Sequence, residues 1–249
     1  MIPTFEEVIR RDRLVAVLCV AALTALAWFS LIRMGTGMTA GMDTRAWDAA
    51  DWFDLFVMWT VMMVGMMMPS VAPVLLHVLQ MFRRRGDRLA RASAAAFVGG
   101  HLLAWTAFSA LAAVAQILLH QAALLGTSMA SESMALTGVL LFAAGVYQCL
   151  PVKTACLTYC RPPLHYLSMK RRDGTSGAFV MGLEHGGFCV TCCVALMALL
   201  FVFGVLNLFW VGAISVLVLI EKMTPRRAHV EYASGIPLIV WGMVCFARG

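Results

Sequence analysis

Long apolar runs alternate with short breaks that hold most of the charge. The runs cover about 14–32, 53–79, 92–119, 133–150, 176–203, 206–220 and 232–247. A helix needs ~20 apolar residues to cross a bilayer. The pattern therefore predicts an all-α fold: a polytopic transmembrane helix bundle forming one domain over 1–249, with about seven spans. The last run, at about 16 residues, is short for a crossing, and six spans with a re-entrant tail is the alternative. The first run is longer than the ~7–15 residue core of a secretory leader and is read as a retained helix. A leader cleaved near Met38-Thr39-Ala40 is the competing reading.

Composition agrees with the runs. The 249 residues are 61% hydrophobic and 13% charged, against about 45–50% and about 25% in soluble domains. The net charge of +6 belongs to topology. The basic residues sit between apolar runs without the interleaved aromatics that stack on bases, so the expected partner is the lipid bilayer and not nucleic acid. Lys and Arg number five, five and three in the breaks after the second, fourth and sixth runs, with three more before the first. The breaks after the third and fifth hold none, and that after the first holds two. Basic residues mark the cytoplasmic side, so the N-terminus is expected inside and the C-terminus outside.

The chemistry concentrates in GLEHGGFCVTCCVALM, residues 182–197. On a helix His185, Cys189 and Cys192/Cys193 stand at i, i+4 and i+7/i+8 and share one face, with Glu184 100° round from His185. Ionisable groups inside a membrane span are costly and usually functional. Thiols with an imidazole suit Cu(I), zinc or an iron–sulfur cluster, or thiol redox chemistry. The competing reading treats each cysteine as a small apolar residue and Gly186-Gly187 as room for close helix packing; Glu184 and His185 have no place in it.

Two further groups extend this chemistry. Met58, Met62 and Met66, with Met63 and Met67 beside them, form two adjacent stripes at four-residue spacing. Thioethers accept Cu(I), although a methionine stripe is also ordinary core packing. Pro69 ends that segment and is expected to kink it. The basic break at 151–175 holds Cys156 and Cys160, a CxxxC pair that Cys149 or His165 could extend into a capture or disulfide site. His77 and His101 lie within runs and either face the cluster or pack. Glu221-Lys222 closes the sixth run as an interfacial ion pair. Nucleotide loops, GxSxG and HExxH are absent.

Taken together, YQCLPVKTACLTYCRPP (147–163), GLEHGGFCVTCCVALM (182–197), IEK (220–222) and WTVMMVGMMMPS (59–70) resemble bacterial proteins described as predicted metal-binding integral membrane proteins. The resemblance covers about 52–223. It implies a multi-pass protein of the bacterial inner membrane with a metal role. By position it marks Met62, Met63, Met66, Met67, Pro69, Cys156, Cys160, Gly186, Cys189, Cys192, Cys193 and Glu221.

The expected function is the binding and transfer or delivery of a soft metal, copper ahead of zinc, with a metal chaperone or membrane metalloenzyme as partner. His185, Cys189, Cys192 and Cys193 would hold the ion with Glu184 alongside. Met62, Met63, Met66 and Met67 would line the facing helix, and Cys156 and Cys160 would exchange metal at the cytoplasmic mouth. The alternatives are a membrane thiol–disulfide oxidoreductase, which is the enzymatic reading, and an assembly subunit whose cysteines only pack.

Overall fold

The computed structural model describes residues 5–38, 49–84, 89–126, 129–160, 174–224 and 227–248. His165 and the stretch at 39–48 lie outside them. The described elements are helices: α1 (Phe5–Met38), α2 (Ala49–Arg84), α3 (Ala90–Gln121), α4 (Met134–Cys149), α5 (Pro151–Cys160), α6 (Gly174–Ala198), the single turn α7 (Leu200–Phe203), α8 (Leu208–Met223) and α9 (Arg227–Arg248).

Among these, five are long and apolar enough to cross a membrane: Arg10–Gly35, Ala50–Arg84, Ala90–Gln121, Gly174–Phe203 and His229–Arg248. A sixth is the pair Met134–Cys149 and Pro151–Cys160, bent by 68° at its break. The final run, expected to be short, extends over 20 residues and qualifies. The 16-residue α8 falls below crossing length, as α4, also of 16 residues, does unless joined to α5. The second and third runs extend several residues beyond their apolar cores, and α2 continues through both Pro69 and Pro73.

The expected polar loop at 151–175 is in part a helix. Pro151 opens α5, and a proline at the first helical position loses no hydrogen bond the helix would have made. Ser133 caps α4, its hydroxyl accepting from the Leu136 amide at 3.3 Å.

Glycines set how closely the helices approach. A Cβ at Gly182 would strike the Phe97 carbonyl, and one at Gly100 the Phe179 carbonyl. At Gly186 a Cβ would lie 2.7 Å from Ala104 Cβ. These three positions press α3 against α6 backbone to backbone, in the small-residue manner of tightly packed membrane helices. Gly187 faces open space, so of the Gly186-Gly187 pair only the first serves packing. Gly138 and Gly145 meet Gly242 and Gly235 in the same way and pair α4 with α9. Gly204, at φ 92°, takes the left-handed conformation that turns the chain from α7 into α8.

Buried Asp12 fastens α1 to its neighbours, receiving Arg83 Nε at 2.5 Å and Arg91 Nε at 2.7 Å. Apolar side chains remain exposed on the outer faces of the bundle, among them Leu14, Phe29, Leu111 and Trp241. A continuous apolar exterior is what a lipid-facing bundle requires.

Candidate metal centre

One buried core contains Met58, Met62, Met63, Met66 and Met67 from α2 together with Cys160, Cys189, Cys192, Cys193 and Met197. The shared face predicted for α6 is real: His185, Cys189, Cys192 and Cys193 are all buried. Glu184 is half-buried on the flank of that helix.

Cys160 enters this cluster from α5. Its Sγ lies 3.4 Å from Cys192 Sγ, which lies 3.4 Å from Cys193 Sγ. Cys192 also donates to the Cys189 carbonyl at 3.2 Å. Cys160, expected at the cytoplasmic mouth, is 2% exposed, and α5 leaves α4 at a 68° bend. Cys156, one turn earlier, is half-buried and packs at the edge of the core. The CxxxC pair is therefore divided between a buried thiol in the cluster and one at its margin. All the described cysteines are free thiols.

Lys222 completes the group. Its buried Nζ donates to Cys189 Sγ at 2.8 Å and to Ser70 Oγ at 2.9 Å, tying α8 to α6 and α2. Glu221, beside Lys222 in sequence and expected to form an interfacial pair with it, accepts from Lys153 Nζ at 2.7 Å and Gln148 Nε2 at 2.7 Å. Lys153 also bonds Gln148 Oε1, and Gln148 Nε2 donates to Ser234 Oγ at 2.8 Å. This network, buried at Gln148, Lys153 and Glu221, holds the start of α5 against α4, α8 and α9.

The imidazoles lie beside the thiols. His185 Nε2 is 3.3 Å from the Cys160 carbonyl oxygen, and its Nδ1 is 3.3 Å from Nδ1 of His101 on α3. His101 is completely buried and belongs to the cluster. His77 does not; its Nδ1 bonds the Pro73 carbonyl at 2.6 Å within its own helix. The sequence reading gave Lys222 only an interfacial role and did not name Ser70. A basic residue closing a short apolar run looks like an interfacial anchor, and the available signal was that IEK stands among the motifs of the resemblance.

Among the described residues no three His, Cys, Asp or Glu side chains are preformed around a metal-sized gap. The thiols touch one another in pairs. They are nevertheless soft donors in an apolar, water-poor core lined by thioethers, the donor chemistry that Cu(I) takes.

Neither the curated proteins nor the solved structures contain a match to this chain. A family model described as copper chaperone matches residues 56–245, a range that includes every thiol and thioether of the cluster. The chain belongs to that copper chaperone family.

Proposed function

We propose that the protein is a multi-pass protein of the bacterial inner membrane that takes up Cu(I) at Cys160, Cys189, Cys192 and Cys193 and passes it to a partner protein. The observation that carries this reading is the meeting of four buried thiols from α5 and α6 in one core with the methionines of α2. The family supplies copper as the cargo. Met62, Met63, Met66 and Met67 form the thioether wall along which a weakly held ion can move. Cys156, at the edge of the core, is the first thiol an incoming ion meets. The N-terminus and the basic breaks face the cytoplasm, and the recipient is a copper chaperone or a membrane cuproenzyme.

Plasma mass spectrometry on anaerobically purified protein tests the proposal. Copper near one per chain, lost in the double variant Cys192→Ser and Cys193→Ser, is the expected result; copper content unaffected by the double variant would sink it.

A second reading has its own support. Cys160 and Cys192 approach to 3.4 Å between sulfurs, and a disulfide requires about 2.05 Å. As a thiol–disulfide oxidoreductase the protein would hold no metal, and Cys160 and Cys192 would escape alkylation after mild oxidation and recover it on reduction.

A further inference from the structure

The histidine pair has a hydrogen-bond order that its acceptors dictate. The Cys160 carbonyl can only accept, so the His185 Nε2 beside it, at 3.3 Å, carries the proton. A neutral imidazole has one protonated nitrogen, which leaves His185 Nδ1 as an acceptor. The proton in the 3.3 Å contact between the two Nδ1 atoms therefore belongs to His101. By elimination, His101 Nε2 is a bare lone pair. It sits on a fully buried ring and has no hydrogen-bond partner.

We propose that His101 Nε2, and not a nitrogen of His185, is the imidazole ligand for Cu(I) at the thiol centre, and that His185 is its positioning residue. This rests on the copper reading above. A buried polar atom without a partner calls for an explanation, and a vacant basic nitrogen on a ring in contact with His185 of the thiol-bearing helix is explained by a cation that occupies it. Cys189, His185 and Lys222 lie within electrostatic reach of the ring.

The surroundings match what a ligating imidazole needs. Such a ring commonly gives its other N–H to an acceptor that fixes tautomer and orientation. Here the chain runs from His101 Nδ1–H to His185 Nδ1, and from His185 Nε2–H to the carbonyl of Cys160. The backbone of α3 is held as firmly, because Gly186 lies so close that a Cβ there would stand 3.0 Å from the His101 carbonyl oxygen. Both nitrogens of His185 are thus committed, while one of His101 is open. The relay also joins the imidazole to the backbone of Cys160, whose Sγ lies 3.4 Å from Cys192 Sγ.

X-ray absorption at the copper edge, on anaerobic full-length protein loaded with Cu(I), tests the assignment. The wild type is expected to show sulfur neighbours and the outer-shell scattering of one imidazole. His101→Met should keep copper with the imidazole signature gone. His185→Gln should keep that signature while competition with a Cu(I) chelator shows affinity weaker by about 10- to 100-fold. A sulfur-only wild-type spectrum overturns the proposal and leaves the copper reading standing. So does an imidazole signature that survives His101→Met and disappears in His185→Gln. If His101→Met does not fold, the wild type and His185→Gln decide between the two rings by themselves. Wild-type protein that retains no copper at all overturns the function proposed above, and the assignment with it.

Discussion

Lys222 is the residue whose placement says most about the cargo. An ammonium donating to Cys189 at 2.8 Å contributes one positive charge to the site proposed to receive Cu(I). At an effective dielectric of about 20 and a separation near 4 Å, each unit of added positive charge meets about 4 kcal/mol of repulsion. A divalent ion meets twice that, so the fixed ammonium favours a monovalent ion. Lys222→Met should therefore raise the zinc retained relative to copper by at least about ten-fold when both metals are supplied in equal amounts. Elemental analysis of the protein after dialysis measures the ratio, and a ratio equal to that of the wild type would show that the ammonium does not discriminate. At this scale the thiols of α6 were legible because i, i+3 and i+4 spacing alone puts Cys189, Cys192 and Cys193 on one face. Lys222 and His101 were not, because their partners are 33 and 84 residues away in sequence and no local periodicity records such pairings.

Among the elements, α5 is the short helix that completes the thiol cluster, and the Lys153–Glu221 pair is what holds it. Removing one member of a buried ion pair costs about 3–5 kcal/mol because the other charge is left uncompensated. Glu221→Gln should lower the melting temperature in detergent and expose Cys160 to alkylation; Lys153→Met with Glu221→Met should recover much of the stability. Loss of stability without a gain in Cys160 labelling would mean that the pair supports the bundle and not the placement of α5. A sharper contrast comes from α6. Gly182→Ala drives a methyl into the Phe97 carbonyl and should destabilise by about 1–3 kcal/mol, whereas Gly187→Ala, facing open space, should be neutral or slightly stabilising. Thermal unfolding of the two variants separates them. The sequence marked α6 well but left α5 as loop, since three prolines and five basic residues at 151–175 outweighed the fact that Pro151 stands where a helix tolerates it. That α3 pairs with α6 was also hidden: glycine spacing marks a close approach without naming the partner helix.

The architecture of the whole molecule accounts for the shortness of α8, which has 16 residues. Cys189 lies 14 residues before Phe203, and Lys222 lies 14 residues after Leu208. The chain turns at Gly204, so the two residues are equally deep, about 21 Å along each helix at 1.5 Å per residue. The 16 residues of α8 thus reach just far enough to bring Lys222 to the thiols, and Glu221 one position earlier to the network that holds α5. Its length is set by the depth of the site, not by the thickness of a bilayer. A hydrocarbon core of about 30 Å then places the centre nearer the side from which α6 starts, the side of the basic breaks. On the proposed orientation, with the N-terminus in the cytoplasm, that is the side from which copper would enter. The five long helices, with the bent pair if it acts as one span, give up to six candidate crossings among the described residues, and α8, ending at the site, adds another only if the chain beyond Met223 completes it. Reporter fusions at the C-terminus decide this. A seven-span chain gives an active alkaline phosphatase and a dark green fluorescent protein. A six-span chain gives the reverse and would place Lys222 at the end of a re-entrant helix, leaving the centre open to the cytoplasm through the gap that α8 does not fill.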